Sequence, residues 1–151
     1  MKFNPKVIVV AGLAMYVVQW VVSMVSGMLI HEGVLTPLYM ETSAFWRPEL
    51  NQQPPDMAAL MPRWITVGVL AALIQAGIYH NIRSALNGSG LIKGIKYGVV
   101  VFLFHLCFSA GWSGVFNLPE MLWVWWNVDF LIVLLIGGAV LGLVAQKLDP
   151  E

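Results

Sequence analysis

The chain has 151 residues, of which 59% are hydrophobic and 11% charged, and its formal net charge is zero. Soluble domains contain about 25% charged residues, so this composition excludes an ordinary soluble domain and indicates an integral membrane protein. The net charge of zero gives no electrostatic case for nucleic-acid binding, which is therefore not predicted. The single cysteine, Cys107, excludes a disulfide framework within one copy.

Four continuous apolar runs predict membrane-spanning helices near residues 7–30, 63–82, 95–116 and 120–146. About 20 helical residues cross the ~30 Å hydrocarbon core of a bilayer. Continuous runs favour helices over barrel strands, in which polar and apolar residues alternate. The sequence therefore predicts an all-α protein with one four-span domain over residues 1–151, a four-helix transmembrane bundle. The first run is too long for a signal peptide and is expected to remain in the mature protein.

Basic residues fall mainly on one side of the predicted spans. By the positive-inside rule, that side is cytoplasmic. We therefore expect a multi-pass protein of the cell membrane, specifically of a bacterial inner membrane, with both termini in the cytoplasm. The basic residues on this side are Lys2, Lys6, Arg83, Lys93, Lys96 and Lys147.

The outer connection between the first and second spans, residues 31–62, is long and rich in proline. Proline interrupts regular helices, so we expect this loop to fold against the membrane surface rather than to form one helix. Asp56 is predicted to be the N-cap of a helix that leads into the second span. The link between the third and fourth spans is only Asn117-Leu118-Pro119, which predicts a tight antiparallel hairpin.

All seven tryptophans fall on the outer half of this topology. Tryptophan is enriched at the headgroup level of membranes, so one interpretation is an aromatic belt. A belt normally occurs at both faces, however, and the one-sided distribution leaves open a docking surface for a partner. The predicted docking residues are Trp46, Trp64, Trp112, Trp123, Trp125 and Trp126.

Small residues recur at every fourth position within the predicted spans. This spacing lets membrane helices approach closely. We interpret the pairs as contacts inside the bundle; the alternative is that surplus pairs mark an oligomer face, and the sequence leaves both open. The sets are Ser23 and Gly27; Gly68, Ala72 and Ala76; Gly94 and Gly98; Ala110 and Gly114; and Gly138 and Gly142.

Two ionisable side chains, His105 and Asp129, lie well inside the predicted spans. A charge in hydrocarbon costs at least ~2.5 kcal/mol and is usually retained for a partner or a task. At 1.5 Å per residue, His105 lies about 15 Å and Asp129 about 13 Å from the starts of their helices, so both are expected near the midplane. We predict that the two side chains meet, with Gln19, Gln75 and Ser109 as neighbours in a small polar core.

The predicted His105–Asp129 pair allows two interpretations. An aspartate can hold an imidazole in one tautomer, and the pair then serves as a ligand-binding point or a proton relay. Alternatively, the two side chains only satisfy each other and fix the register of their helices. The sequence leaves both interpretations open.

A candidate metal-binding stripe is present at the end of the first span. Met24, Met28 and His31 follow i, i+4, i+7 spacing, which places two thioethers and an imidazole along one helical stripe, as a copper(I) ion would need. Methionines at such positions are also ordinary apolar filler. No complete metal site and no cofactor are predicted.

Several short motifs are spread along nearly the whole chain. They are Leu38-Tyr39, Arg47-Pro48-Glu49-Leu50-Asn51, glycines 90, 94 and 98, Leu118-Pro119, and Val128-Asp129. In these residues the chain resembles small four-span bacterial inner-membrane proteins that are grouped as domains of unknown function. The resemblance implies the fold and the membrane location. Those proteins often carry acidic residues in the first and third spans, where this chain has Gln19 and His105.

Two classes of function remain. A helix-only body, little mass outside the spans and the one-sided tryptophan surface favour a structural or accessory subunit of a larger membrane complex, bound to other subunits or to copies of itself. The alternative is a small transporter or ligand-binding protein that uses His105 and Asp129. The sequence has no recognisable nucleophile–base pair, phosphate-binding loop or complete metal motif, so an enzyme is not predicted.

Overall fold

A computed structural model of the chain describes residues 4–150 and confirms the all-α fold, with four helices that are long and apolar enough to cross a membrane. The protein is therefore a polytopic membrane protein. Lys2, which entered the charge argument, lies outside the described residues. The helices are α1 (Pro5–Ser26), α2 (Thr36–Glu41), α3 (Met57–Ile82), α4 (Gly90–Ser113) and α5 (Glu120–Leu148). Shorter turns follow α1 (Gly27–Glu32, π-helical), α2 (Ser43–Phe45) and α3 (Arg83–Ala85).

The second span begins earlier than the apolar run indicates. α3 starts at Met57 rather than at residue 63, and the Asp56 side chain accepts a hydrogen bond from the Ala59 amide at 3.1 Å, as the predicted N-cap does. Pro62 lies in the second turn of α3. Its missing N–H removes one hydrogen bond near the start of the helix, and the helix continues through it.

The four long helices pack in the order α3–α1–α5–α4. The helices α1 and α5 are central, whereas α3 and α4 each pack mainly against one neighbour. These two outer helices meet through Tyr79 and Tyr97, whose ring centroids lie 5.4 Å apart. The Tyr97 hydroxyl also donates to the backbone carbonyl of Gln75 at 2.9 Å. The bundle is therefore closed on one side by only a small contact.

The bundle has two ends. The terminal end carries the start of α1, the end of α5 and residues 83–89, and the loop end carries the long loop (residues 33–56) and residues 114–119. Within the described chain, the basic residues that set the predicted orientation lie at the terminal end. The side of the membrane that this end faces stays a prediction.

Glycines bring the backbones of α4 and α5 into direct contact. A Cβ atom on Gly94 would lie 2.0 Å from the carbonyl oxygen of Gly138, and one on Gly142 would lie 2.0 Å from that of Gly90. No side chain fits at such distances, and the predicted role of small residues in helix packing holds for this interface.

Other small residues divide into packed and unpacked sets. Between α1 and α3, the Cβ position of Gly12 lies 3.2 Å from the carbonyl oxygen of Ala72 and 3.2 Å from Cβ of Ala76. The Cβ position of Gly27 has no heavy atom within 4 Å, and that of Gly114 meets only the carbonyl oxygen of Gly111 in its own segment. The Ser23/Gly27 and Ala110/Gly114 pairs are therefore not bundle contacts, contrary to the prediction.

Arg83 fastens the terminal end of the bundle and is only 6% exposed. Its guanidinium donates to the backbone carbonyl of Ala145 at 3.1 Å and to the carboxylate of Asp149 at 2.5 Å. The last carbonyls of a helix lack internal partners, and a cation near them is favourable. Arg83 therefore caps the C-terminal end of α5.

Replacing Arg83 by glutamine is expected to lower the free energy of unfolding by about 2 kcal/mol. Breaking a fully buried ion pair costs ~3–5 kcal/mol, and the loss here is smaller because the Asp149 side chain is 38% exposed. Denaturant unfolding in detergent measures this. The control Lys147→Gln removes a charge from an exposed residue at the same helix end and should change the value by less than ~0.5 kcal/mol. Equal losses in both variants would contradict the role of Arg83.

Candidate functional site at the loop end

A π-helical turn redirects the end of the first span. The segment Gly27–Glu32 is π-helical, and π-helices form i→i+5 hydrogen bonds. The residues beyond Gly27 are therefore rotated away from the α-helical stripe. The side chains of Met24 and Met28 are 59% and 60% exposed, whereas both ring nitrogens of His31 are hydrogen-bonded to α2 and α5. The structure does not assemble the predicted Met24–Met28–His31 stripe.

His31 joins the long loop to α5. Its Nδ1 atom lies 2.6 Å from the Tyr39 hydroxyl, and its Nε2 atom lies 3.2 Å from Oδ2 of Asp129. The Trp126 indole N–H donates to the same Tyr39 hydroxyl at 2.7 Å. These four side chains, His31, Tyr39, Trp126 and Asp129, are referred to below as the anchor network.

Packing around the anchor network fixes the long loop. The Trp46 indole N–H donates to the Tyr39 carbonyl at 3.1 Å, and the Trp46 ring meets the Trp126 ring edge-on at 5.9 Å. Leu35 and Leu122 are fully buried and form a small apolar core with Ile30. The loop is therefore folded against the end of the bundle, which agrees with the expectation that it is not one regular helix.

The hydrogen-bond geometry favours one arrangement of protons. A neutral imidazole has one donor and one acceptor nitrogen. The Tyr39 oxygen accepts from Trp126, which leaves its own hydrogen to donate to Nδ1 of His31. The Nε2–H group of His31 then donates to the carboxylate of Asp129. For a neutral His31, these three contacts are all satisfied when the ring is protonated on Nε2.

The order hydroxyl–imidazole–carboxylate is also that of a hydrolase triad, in which the imidazole activates the hydroxyl. Burial raises the pKa of the Tyr39 phenol; the hydrogen bond from Trp126 opposes this shift, and the charge of Asp129 adds to it. The phenol therefore holds its proton more firmly than a free tyrosine. This favours an anchoring role over a nucleophilic one.

Asp129 pairs with His31 and not with His105. The His105 ring stacks on Phe130, with centroids 3.9 Å apart, in the interface between α4 and α5. The carboxylate of Asp129 points to the opposite interface, toward the end of the first span. The predicted pair is wrong because counting residues gives the level of a side chain along the membrane normal but not its direction around the helix.

The other predicted core residues are dispersed as well. The Ser109 hydroxyl accepts a hydrogen bond from the Asn127 amide at 2.8 Å in the α4–α5 interface. Gln19 packs against Gly137, whose Cβ position lies 2.7 Å from the glutamine side chain. Gln75 meets α4 through its backbone carbonyl. The described polar groups therefore form separate pairs rather than one polar core.

The tryptophans predicted to dock a partner lie in different environments. Trp46, Trp125 and Trp126 pack on the small core beneath the long loop. Trp123 meets the Trp126 ring edge-on at 5.3 Å. Trp64 and Trp112 are 39% and 51% exposed. Much of the one-sided tryptophan cluster is thus used inside the chain, and whether the exposed members bind a partner stays a prediction.

A cleft of about 310 Å³ opens between α4 and α5 near the loop end. Ser109, Asn127 and Trp123 form part of its wall, and its other lining residues are uncharged. The Oδ1 atom of Asn127 and the indole N–H of Trp123 are buried there without a hydrogen-bond partner in the described chain. The cleft is therefore suited to uncharged groups.

Sequence reasoning missed Tyr39 and Asn127 as site residues and gave His31 only a minor metal role. Two signals were available. Tyr39 is the aromatic residue of a short segment that must fold back on the span ending at His31, and Asn127 is an amide within an otherwise apolar run two residues before Asp129. Neither signal identifies the contact partner.

Comparisons with protein-family models, with curated proteins and with solved structures each gave no match to this chain. The resemblance to small four-span inner-membrane proteins stays a prediction. The interpretation of the anchor network and of the long loop therefore depends on their geometry and chemistry.

Proposed function

We propose that this polytopic membrane protein is an accessory subunit of a larger membrane complex, and that its long loop binds the partner subunit. The main support for the proposal is that the long loop is held in place and still exposes apolar side chains. Met40 and Phe45 are 65% and 55% exposed, although the loop around them is held by the anchor network. A surface that is ordered before binding loses less conformational entropy when a partner binds.

The charge of the loop indicates the chemistry of the partner. Residues 33–56 contain Glu41, Glu49, Asp56 and one basic residue, Arg47, which gives 1 − 3 = −2. Arg47 donates to Glu49 at 2.9 Å, so this pair is internally neutralised. The exposed carboxylates of Glu41 and Asp56 then border the apolar side chains. The surface of the long loop is therefore complementary to another membrane protein that has an apolar groove bordered by basic residues.

The alternative from the sequence, transport or ligand binding through a His105–Asp129 pair, loses its geometric basis. The two side chains belong to different helix interfaces. The dispersed polar pairs support a role in packing for most of these residues. The accessory role is therefore the better supported of the two functions.

Co-purification from native membranes in mild detergent tests the proposal. The double variant Met40→Ser and Phe45→Ser is expected to retain at least ~10-fold less partner than the wild type, because apolar residues at the centre of an interface carry most of its affinity. The matched control is Val67→Ser, which changes a 59% exposed residue of α3 outside the loop and should retain the partner. Equal retention by all three proteins, or loss in the control alone, would overturn the proposal.

A further inference from the structure

The anchor network contains a histidine, the side-chain type that proteins most often use to bind and release protons near neutral pH. A histidine titrates between about pH 5 and 8 in the absence of strong perturbation. The His31 side chain is 34% exposed, so protons reach it from the loop end, and the Asp129 side chain beside it is 18% exposed. A half-buried imidazole that bridges a loop and a carboxylate in a membrane span can bind a proton and transmit the change to the loop.

We propose that His31 and Asp129 form a proton-binding site that sets how tightly the long loop is held on α5. Uptake of one proton by His31 converts the neutral hydrogen bond to Asp129 into an ion pair between imidazolium and carboxylate. Hydrogen bonds between charged groups are roughly twice as strong as neutral ones. The loop is therefore held more tightly in mild acid than at alkaline pH.

The proton balance of this step follows from the contacts. In the neutral network the Tyr39 hydroxyl donates to Nδ1 of His31. The incoming proton binds Nδ1, which then donates to the Tyr39 oxygen. That oxygen still accepts from Trp126, and the phenol hydrogen turns toward solvent, which the partial exposure of Tyr39 permits. One proton is bound per chain, and the only covalent bond formed is the N–H bond at Nδ1 of His31.

The titratable groups that contact His31 are few. From α2 it meets Tyr39, which holds its proton firmly because burial raises its pKa. From α5 it meets Asp129, the carboxylate that gains from the added charge. Within the described residues no other titratable side chain is hydrogen-bonded to the His31 ring. Protonation of His31 is therefore expected only to strengthen the contacts that hold the loop, and not to weaken them.

The site adds a regulation to the proposed function, and this consequence depends on that function. If the long loop is the partner-binding surface, mild acid makes that surface more ordered and favours the complex. The proton site itself is independent of any partner, because its contacts lie within one chain. The site can therefore be tested on the isolated protein.

Hydrogen–deuterium exchange of the purified protein in detergent, read by mass spectrometry, tests the site. Exchange of peptides from residues 33–46 is compared at about pH 8 and about pH 6, either side of the ordinary imidazole range, after correction for intrinsic exchange rates. The wild-type loop is expected to be about tenfold more protected at the lower pH, as a charge-assisted bond replaces a neutral one. The variants His31→Gln and Asp129→Asn should lose this difference.

The matched control is His105→Gln. It removes another histidine from a membrane span, but the His105 ring stacks on Phe130 and makes no hydrogen bond to the loop, so the pH difference should persist. The Arg47–Glu49 pair does not contribute over this interval. The hydrogen bond from Arg47 holds the pKa of Glu49 below its usual range, so any stability from this pair is present above the unfolded pKa and is lost only as the pH falls through the lower folded value.

Two results would overturn the proton site. One is equal loop protection at the two pH values in the wild type; the other is an unchanged pH difference in His31→Gln. If His31→Gln unfolds, peptides from the terminal halves of α1 and α5 lose protection as well, and Tyr39→Phe replaces it. This variant removes the hydroxyl through which the loop contacts His31, so it should show weaker loop protection and should lose the pH difference. A pH difference as large as that of the wild type would contradict the proposal, whereas failed co-purification with intact pH dependence in the wild type would count only against the accessory function.

Discussion

Replacing Gly94 by alanine is expected to separate α4 from α5 and to lower the free energy of unfolding by about 3 kcal/mol. The added methyl group would lie 2.0 Å from the carbonyl oxygen of Gly138 and 2.8 Å from its carbonyl carbon. Both atoms belong to the backbone, so no rotamer change relieves the overlap and the helices themselves must move. Unfolding of the purified protein in detergent, followed by circular dichroism, measures the loss.

Gly111→Ala is the matched control for this prediction. Gly111 lies in the same helix, but the Cβ position of this residue has no heavy atom within 4 Å. Its substitution should change the free energy of unfolding by less than ~0.5 kcal/mol, as expected away from packed features. If the two variants lose the same stability, the cost comes from the helix itself and not from the contact with α5.

The spans and their closest interface could be predicted from local sequence. Apolar runs report the thickness of the membrane, and the glycines at 94, 98, 138 and 142 report how closely two helices approach. Both signals are local patterns along one sequence, and neither requires knowledge of contacts between distant residues. The helix starts were less accurate, because Met57 and Gly90 begin their helices outside the apolar runs. The Asp56 side chain caps the start of α3, and the Gly90 amide at the start of α4 donates to the Gln146 side chain.

The candidate site could be predicted only in part, because its geometry depends on rotation and on distant contacts. Asp129 was identified from its cost in hydrocarbon, but its partner was assigned by depth alone. The π-helical turn at Gly27–Glu32 turns His31 toward α5, and a regular 3.6-residue period does not predict such a turn. Tyr39 reaches Trp126 across 87 residues of sequence. No periodicity in the sequence encodes that contact.

The ambiguity in the interpretation of the tryptophans has a related cause. A tryptophan near a membrane surface can contact lipid, a partner or its own chain with the same composition and the same position in sequence. Trp46 and Trp126 became internal because the long loop folds back and provides Tyr39 as their hydrogen-bond partner. Trp64 and Trp112 remain exposed, and the Trp112 ring stacks on Phe116. The fold of the loop therefore decides which tryptophans are available to a partner.

Replacing Leu122 by alanine is expected to detach the long loop from α5. Leu122 is fully buried, and it forms the small core beneath the loop with Leu35 and Ile30. Truncation of a buried leucine typically costs ~2–5 kcal/mol, and here the loss falls on the contact between the loop and the helix rather than on the spans. Hydrogen–deuterium exchange should show loss of protection in residues 33–46, while peptides from the terminal end of α1 and α5 keep theirs.

The neighbouring variant Met121→Ala separates this effect from a general effect on α5, because Met121 is 52% exposed and should leave loop protection unchanged. The pair of variants also tests how the loop binds a partner. Leu122→Ala keeps Met40 and Phe45, so loss of the partner in this variant would mean that binding requires the ordered loop and not only its apolar side chains. Retention of the partner by a detached loop would mean that the anchor network has another purpose, and the proton site at His31 and Asp129 would then have to be explained without the partner surface.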